Sequence, residues 1–492
     1  MGAGAASRCR AHTFEQLLRP RPQSPLAQAL PGFHELLASA EALAAGIEPD
    51  GVLSLAMPLA PRDPLAALPQ LAEGADDGFR FLWDGAPGLC IAAAGRCNSL
   101  ELSGPRRFEL AQRFSSASLA RLGSPAATPP LARPRVLLAF AFFDAPLHPG
   151  SAAVPGVQAV LPRWQLSRHG QHCWLRLQQS LGGGMTPRQV AEELWAMGQA
   201  VAASAPSPEA LPALEPGELI GSGDAHWQSL YRAAAERGLE LVNTGELSKL
   251  VLAVRQELLL AHEANPLALL APLRRHQRGS CRFLWQREHQ AALLGASPER
   301  LLTVRSGQLR SDALAGTAPC QAQAASRLLA SEKDRREHEL VVEAITSGLQ
   351  QAGLEPRRPR RPRLARHGQL VHLHTPITAA LKDQHPLALA AALHPTPAVA
   401  GLPRRQAMGW LRTLEPFERG HYAAPIGWID SAGDTDLRVA IRSGTLRGRR
   451  LELTAGAGLV RGSQPERELE EVALKLGVLQ QQLRAAPAAA RA

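Results

Sequence analysis

The sequence predicts an α+β protein in which layered mixed and antiparallel sheets are flanked by helices. Segments of strand type and of helix type follow one another in mixed order, without the regular strand–helix alternation that is typical of a barrel. The chain has 492 residues and 45% of them are apolar, so it can bury a large core. We therefore expect a globular chain and not a disordered one.

The N-terminal region, residues 1–225, carries strand and helix patterns but no group of chemically reactive residues. Alternating apolar and polar residues predict strands at Phe79–Trp83 and Cys173–Leu177. A helix is expected over Met185–Ala203, and the four prolines of Ser204–Pro216 predict a linker after it. We expect about the first 30 residues to be disordered.

The C-terminal region, residues 226–484, has longer and more strongly patterned elements, followed by a tail at 485–492 that we expect to fray. Helices are expected at Trp227–Arg237, Ser331–Gln350 and Pro465–Leu483. Strands are expected at Leu250–Val254, Phe283–Trp285, Ala291–Leu294, Gly427–Ile429, Leu437–Ile441 and Leu451–Thr454. Any reactive residues should therefore lie in this region.

The net charge of +10 suggests a polyanionic partner, but its distribution argues against one. The densest basic block has prolines between its arginines and no aromatic residue that could stack on a base: Arg357, Arg358, Arg360, Arg361 and Arg363. This composition predicts a stiff, solvated loop. We expect no nucleic-acid partner.

Several features predict a cytoplasmic protein without a membrane segment. The longest apolar run, Val136–Phe143, is too short to cross a bilayer, and no apolar stretch follows Arg8 and Arg10 as in a secretory signal. The six cysteines form no CxxC pair and are expected to be reduced thiols. The first acidic residue is Glu15, which leaves a transit peptide as an alternative.

Lysine is scarce in this chain. Of the 54 basic residues only four are lysines, namely Lys249, Lys333, Lys382 and Lys475. Arginine cannot release its proton near neutral pH, whereas the pKa of a lysine can move. The remaining lysines are therefore candidates for positions that need a compact ammonium group.

Two predicted helices each carry a pair of carboxylates on one face. Asp334 and Glu337 are three residues apart, as are Glu468 and Glu471, and Lys475 lies one turn after Glu471. Two such helices could close on a divalent cation, and oxygen ligands without His or Cys favour magnesium. The alternative is a pair of solvated helix faces with salt bridges.

A glycine-rich segment lies between a predicted strand and the last helix. Gly456, Gly458 and Gly462 give a GxGxxxG spacing, one residue longer than the dinucleotide-binding fingerprint. We expect a turn whose backbone N–H groups suit an anion. A purely structural turn is the alternative.

Lys249 and Glu299 are candidates for proton transfer. Lys249 opens an apolar strand, where partial desolvation would lower its pKa toward that of a useful base. Glu299 follows Pro298 and could be a positioned acid. The alternatives are a lysine with its ammonium in water and a glutamate in a surface ion pair. His372, His394 and Arg442 are further candidates, although such histidines also occur as plain core residues.

Taken together and in this order, these segments resemble the chorismate-binding enzyme family. The likeness runs from Leu241 to Leu479 and rests on ASPERLL, LAGT, SEKDRREHELV, LHPTPAVAGLP, YAAPIGW and AGAGLVRGS followed by E..E...K. The motif around Lys249, with HPTPAVAGLP, is similar to the isochorismate synthase branch, because anthranilate synthases typically carry glutamine at the lysine position. One departure is Ala400, where the family usually has glycine.

The resemblance implies roles for the matching residues. Lys249 would be the general base that activates water and Glu299 the general acid that protonates the departing hydroxyl. Mg²⁺ would be the cofactor, held by Glu337 and Glu471 with support from Asp334 and Glu468. The residues expected to contact or line the site of the small-molecule substrate, chorismate, are Gly316, Thr317, His372, His394, Arg442, Gly456 and Lys475.

The resemblance also implies a reaction, a fold and several alternatives. Chorismate would become isochorismate through water addition at C2 and loss of the C4 hydroxyl, with residues 1–225 as a variable half of the same fold. A salicylate synthase would go on to expel pyruvate. An enzyme like anthranilate or aminodeoxychorismate synthase is another alternative, although these enzymes differ around HPTPA. A non-catalytic binding protein is a further alternative. Family likeness favours a monomer, and the pathway that uses the product stays open.

Overall fold

The structure is a computed structural model of the chain. It describes residues 32–48, 51–75, 77–85, 88–125, 127–146, 154–203, 224–288 and 291–484. The expected disorder of the first residues, the expected linker at Ser204–Pro216 and the expected frayed tail lie outside the described residues. No helix of the described part has the length and apolar character needed to cross a membrane.

The described residues before 204 form four helices and seven strands, together with two short 3₁₀ turns at Pro130–Ala132 and Gly182–Gly184. The helices are α1 Phe33–Ala44, α2 Pro64–Glu73, α3 Arg107–Ala120 and α4 Pro187–Ala203. The strands are β1 Val52–Leu59, β2 Arg80–Asp84, β3 Cys90–Leu102, β4 Leu122–Gly123, β5 Arg135–Phe140, β6 Val157–His169 and β7 His172–Ser180.

The described residues from 224 onward form seven helices and twelve strands. The helices are α5 Asp224–Asn243, α6 Pro266–His276, α7 Ala322–Ala330, α8 Glu332–Gln351, α9 Pro386–Leu393, α10 Arg404–Leu414 and α11 Pro465–Arg484. The strands are β8 Lys249–Leu259, β9 Cys281–Glu288, β10 Ala291–Ser297, β11 Arg300–Arg305, β12 Gln308–Pro319, β13 Arg363–His367, β14 Leu370–Ala380, β15 Gly401–Leu402, β16 Pro425–Asp430, β17 Thr435–Val439, β18 Ser443–Arg447 and β19 Arg450–Leu459.

The strands form one hydrogen-bonded network that is almost entirely antiparallel. The two regions of the chain share it, because β2 pairs with β9 and β5 pairs with β16. At the centre of the C-terminal region, β8 pairs with β19 over ten residues, and β12 pairs with β14. The mixed α+β layering expected from the sequence is confirmed.

Apolar burial explains why these strands hold together. A large core fills the space between the sheet and its helices, and a second, aromatic cluster packs against the other face. In that cluster the ring centroids of Phe79 and Trp285 lie 5.2 Å apart in an edge-on contact. The sheet is thus covered on both faces, which fixes the strands that carry the site.

Local signals account for the boundaries of the helix that carries the first carboxylate pair. Ser331 is the N-cap of α8, and its hydroxyl accepts a hydrogen bond from the Asp334 N–H at 3.2 Å. The helix expected at Ser331–Gln350 is therefore confirmed to within a residue. The arginines at 357–363 are exposed as expected, although Arg363 begins β13.

The expected glycine-rich turn is wrong. Gly456 and Gly458 lie inside β19, where they pair with Ala253 and Val251 of β8, and only Gly462 belongs to the connection before α11. A Cβ at Gly456 would lie 2.4 Å from the Leu252 carbonyl oxygen. These glycines therefore permit close contact within the sheet and do not form an anion-binding turn.

Candidate active site

A cavity opens between β8 and β19 on one side and β12 and β14 on the other, and α8 and α11 face it. Ten of the residues that the sequence singles out line it: Glu299, Gly316, Thr317, Glu337, His372, Arg442, Gly456, Gly458, Glu471 and Lys475. Lys249 lies directly behind this lining, in contact with Glu337. Residues more than 200 positions apart in the sequence thus meet at one place.

Glu299 is held rigidly in the short connection between β10 and β11. Its N–H donates to the Ser297 hydroxyl at 3.2 Å, and its carbonyl accepts from the Val439 N–H at 3.1 Å. The Ser297 hydroxyl in turn donates to the Val439 carbonyl at 2.6 Å. These contacts fix the backbone, so the carboxyl group enters the cavity in a defined position.

A large fraction of the Glu299 carboxyl group, about half at pH 7, is protonated near neutral pH. Burial raises its pKa from 4.5 to about 7, against the opposing effects of Lys249, Lys475, the Thr396 hydroxyl and Arg442. A carboxyl group with such a pKa can donate a proton near pH 7. The expected role of Glu299 as an acid therefore has an electrostatic basis.

Lys249 begins β8 and is fully buried. Its Nζ lies 2.9 Å from Oε1 of Glu337. The alternative reading, with the ammonium in water, is wrong because the strand is covered on both faces. Burial raises the pKa of Glu337, but the charge and the hydrogen bond of Lys249 outweigh burial, and the net pKa is lowered.

Gly458 makes room for this ion pair. A Cβ at this position would lie 2.6 Å from Oε1 of Glu337 and 3.0 Å from Cε of Lys249. The glycine of β19 therefore allows a carboxylate and an ammonium to approach the strand face. This is a clearer reason for a glycine here than the anion-binding turn expected from the sequence.

Arg442 and His372 form a cationic wall opposite the acid. Arg442 has a φ of +50°, and its Nη2 donates to Nε2 of His372. Because a guanidinium can only donate, Nε2 must accept, and the proton of the ring lies on Nδ1, which donates to the Gly316 carbonyl at 3.0 Å. Thr317 Oγ1 lies 3.3 Å from the same nitrogen.

These two residues differ in charge. Burial lowers the pKa of His372 well below its usual value, and neighbouring Arg442 lowers it further, so the imidazole is neutral. Burial lowers the pKa of Arg442 to about 10, which leaves it charged at neutral pH. The wall therefore offers one buried positive charge, held in place by a neutral ring, for an anionic group in the cavity.

The carboxylates that could hold a metal are each paired with a lysine or held at a helix end. Glu337 pairs with Lys249, Glu471 with Lys475 at 2.7 Å, and Glu468 with Lys333 at 2.5 Å. Lys475 also donates to the Gly456 carbonyl at 2.8 Å. Within the described residues, no three carboxylate, His or Cys groups converge on one point as a closed metal site.

The electrostatics of this group nevertheless suit a cation. Burial raises the pKa of Asp334, and neighbouring Glu337 and Glu471 add to the increase. Burial and Glu471 likewise raise the pKa of Glu468. The paired lysines thus leave uncompensated negative charge, and two hard carboxylates face the cavity. The donor set fits Mg²⁺.

The structure does not bring every expected residue into the cavity. His394 is absent from its lining, since its Nε2 faces the Phe142 carbonyl at 3.3 Å and its ring packs against Phe108 and Phe142. Asp334 and Glu468 are likewise absent from the lining, whereas Glu337 and Glu471 belong to it. The structure therefore does not place His394 among the residues that line the cavity, and its role in substrate binding stays a prediction.

Tyr422 lines the cavity and was missed in the sequence. Burial raises the pKa of its phenol, so the hydroxyl is neutral. A signal existed: Tyr422 is one of only two tyrosines in the chain, and it opens the segment YAAPIGW. Val399 and Thr396, in HPTPAVAGLP, also border the site.

Comparison with known proteins agrees with this arrangement. The chain is 40% identical over 277 residues to the salicylate biosynthesis isochorismate synthase of Pseudomonas aeruginosa, covering 54% of this chain and 57% of that protein. It is 36% identical over 259 residues to isochorismate synthase EntC of Escherichia coli K12, covering 51% of this chain and 66% of the relative. The matches thus span less than two thirds of these curated relatives.

The fold is shared along nearly the whole chain. The solved structure of MenF, the menaquinone-specific isochorismate synthase from Escherichia coli, superimposes with a TM-score of 0.72 at 27% identity, over 91% of this chain and 99% of that one. The family profile described as chorismate binding enzyme matches residues 38–484. On this match, which includes every residue of the cavity, the protein belongs to the chorismate-binding enzyme family.

Proposed function

We propose that the protein is an isochorismate synthase, an isomerase that converts chorismate to isochorismate. The observation that carries the proposal is a buried lysine and a buried carboxyl group of pKa about 7 at one cavity, beside a buried arginine. A base, an acid and an anion site are what the hydroxyl transfer of a dianionic substrate needs.

The proposed reaction balances without a co-reactant. The reaction requires the form of the enzyme in which Lys249 is the neutral amine and Glu299 is protonated. In that form Lys249 removes a proton from water, which adds at C2 of the ring. The double bond shifts, and the C4 hydroxyl departs as water after Glu299 donates its proton. One water enters and one leaves, and the proton gained by Lys249 returns to Glu299 through solvent, so the net change is an isomerisation.

The remaining cavity residues orient the substrate in this proposal. Arg442, held by His372, binds one carboxylate of chorismate, and Lys475 supports it. Glu337 and Glu471 would hold Mg²⁺, with support from Asp334 and Glu468. When bound there, Mg²⁺ neutralises the charge of the second substrate carboxylate.

We also propose that the enzyme is cytoplasmic and monomeric. The thiols of the described cysteines are free, as expected in a reducing compartment. Light scattering on the purified protein would check the monomer.

The deciding experiment is an assay of the purified protein with chorismate and Mg²⁺, with products separated by chromatography. We expect isochorismate as the only product. Stoichiometric salicylate and pyruvate would assign a salicylate synthase instead. If chorismate remains unchanged, the proposed function is wrong.

A further inference from the structure

A buried ion pair lies directly behind the cavity, outside the residues discussed so far. The side chains of Glu415 and Arg419 are 2% and 0% exposed. Arg419 binds the carboxylate with both Nε and Nη2, at 2.7 Å and 2.5 Å. This two-point contact fixes the plane of the guanidinium.

The same two side chains reach the backbone of two separate segments. Nη1 of Arg419 donates to the Val399 carbonyl at 2.7 Å, and Nη2 donates to the Val251 carbonyl at 2.8 Å. Oε1 of Glu415 accepts from the Ala253 N–H at 2.8 Å. Val251 and Val399 both line the cavity. The pair therefore joins two walls of the site.

β8 needs these contacts because one of its two edges is only partly paired with another strand. On one edge β8 pairs with β19 along its length. On the other it pairs with β15 through Lys249 and Leu250, and the Val251 N–H donates to the Ala400 carbonyl at 2.7 Å. Within the described residues, no further strand pairs with that second edge. Arg419 and Glu415 take the carbonyl and the N–H that a neighbouring strand would otherwise bind.

One of the two joined segments carries Lys249, the proton acceptor of the proposed reaction, and the other contacts Glu299, the proton donor. Val251 is two residues from Lys249 on the same strand. Thr396, three residues before Val399, lies beside the carboxyl group of Glu299 and lowers its pKa. A shift of one segment against the other would change the position of Lys249 relative to Glu299.

We propose that Arg419, oriented by Glu415, is a positioning residue that fixes the catalytic strand β8 against the Val399 segment. This inference rests on the proposed function. Arg419 touches neither the cavity nor the reacting atoms, so it acts through the segments that it holds. A displacement of about 1 Å at such a site can lower the rate about 100-fold.

Arg419→Lys separates positioning from simple stability. Lysine keeps the charge and most of the volume, but its single ammonium cannot hold a carboxylate at two points and two carbonyls in the same plane. We expect kcat to fall by about 10- to 100-fold. The affinity for chorismate should stay within about threefold of wild type, because Arg442 and Lys475 are intact.

Arg282→Lys is the matched control. The side chains of Arg282 and its partner Asp84 are 2% and 1% exposed, and Nη2 of Arg282 lies 2.8 Å from Oδ1 of Asp84. Neither residue lines the cavity. Asp84 also pairs with Arg274, and Nη1 of Arg282 donates to the Ser280 carbonyl, so this variant likewise weakens a buried network around an arginine. It should lower thermal stability by a similar amount while kcat stays within about threefold of wild type.

The measurements are kcat, KM, chorismate affinity by calorimetry and the unfolding midpoint, with wild type assayed first. If wild type does not convert chorismate, the proposed function is wrong, and the positioning role that rests on it is wrong as well. Active wild type with a selective loss of kcat in Arg419→Lys supports the inference. It is overturned if Arg419→Lys keeps kcat within threefold, or loses no more than Arg282→Lys.

If Arg419→Lys does not fold, Glu415→Gln takes its place. The amide oxygen still accepts from Ala253, while the loss of charge weakens the hold on Arg419. We then expect a loss in kcat of about threefold to tenfold without loss of chorismate affinity. An unchanged kcat in a folded Glu415→Gln protein overturns the inference.

Discussion

At the scale of single residues, the site depends on burial more than on residue type. Glutamates are common on protein surfaces, but Glu299 is 5% exposed and its carboxyl has a pKa of about 7. Lys249 is fully buried and paired with Glu337. Neither property can be read from the local sequence, because the burying groups come from distant segments.

Lys249→Arg tests whether this residue transfers a proton. Arginine would keep the positive charge beside Glu337 but could not release its proton near neutral pH. We expect kcat on chorismate to fall by about 10²–10⁴, as for Lys249→Ala. Lys382→Arg, at a side chain that is 62% exposed, is the matched control and should keep full activity. An arginine variant that retains a tenth of wild-type kcat would assign Lys249 a purely electrostatic role.

Glu299→Gln should lose activity and gain stability in a pH-dependent way. The pKa of Glu299 is about 7 in the folded protein against an ordinary 4.5, so the folded state holds an extra proton between these values. Wild-type stability therefore decreases as the pH rises from about 4.5 to 7, whereas glutamine cannot ionise. Above pH 7 the variant should be more stable by up to about 3 kcal/mol.

Urea unfolding in the presence of chelator at several pH values measures this effect. The stability difference between Glu299→Gln and wild type should shrink as the pH falls toward 4.5. A difference that is constant with pH would mean that the Glu299 carboxyl is not held protonated. The variant's kcat should be lower by about 10²–10⁴ at every pH.

At the scale of elements, α8, α11, β8 and β19 bring the carboxylates and their lysine partners together. The carboxylate pairs on α8 and α11 were predictable, because a spacing of three residues places both side chains on one helix face. The role of β19 could not be predicted from the sequence. A GxGxxxG spacing is typical of a turn, and only the pairing with β8 shows that Gly456 and Gly458 lie in a strand.

Gly458→Ala tests the space that β19 leaves for the ion pair. The added methyl group would lie 2.6 Å from Oε1 of Glu337, so the Lys249–Glu337 pair must shift. We expect kcat to fall at least about tenfold and the free energy of unfolding to decrease by about 1–3 kcal/mol. Gly477→Ala on α11, whose Cβ would meet only Gln481 at 3.7 Å, is the control.

The control should behave in the opposite way. Alanine favours a helix interior over glycine by about 1 kcal/mol, so Gly477→Ala should be slightly more stable and fully active. Activity assays and urea unfolding of both variants give the comparison. If Gly458→Ala keeps wild-type kcat, the contact between β19 and the ion pair does not limit the reaction.

At the scale of the whole molecule, one continuous sheet carries the site, and the N-terminal strands belong to it. The sequence predicted the layered architecture and most C-terminal elements, since their hydrophobic patterns are strong. It could not predict that β5 pairs with β16, because such pairings join residues almost 300 positions apart. For the same reason the sequence pointed to Glu299 and Arg442 as site residues but did not assign Tyr422, although it opens YAAPIGW, or the Glu415–Arg419 pair to the site.

The last prediction concerns the coupling of α8 and α11 through magnesium. Glu337 and Glu471 come from different helices and face one cavity, so a cation bound by both would hold these helices together. Ligand binding to the folded state raises stability by about 2.7 kcal/mol when the ligand is at 100 times its Kd. Mg²⁺, added with chorismate, should therefore raise the unfolding temperature of wild type, and chelator should reverse the change.

Glu337→Gln and Glu471→Gln should abolish this thermal shift and most of the activity while the protein stays folded, because each removes one charged oxygen ligand. Glu343→Gln and Glu470→Gln change exposed residues of the same two helices and should keep both the shift and the activity. If Glu337→Gln or Glu471→Gln still responds to Mg²⁺ as wild type does, the metal binds elsewhere. If all five proteins respond equally, the carboxylates of α8 and α11 serve only as partners of Lys249 and Lys475.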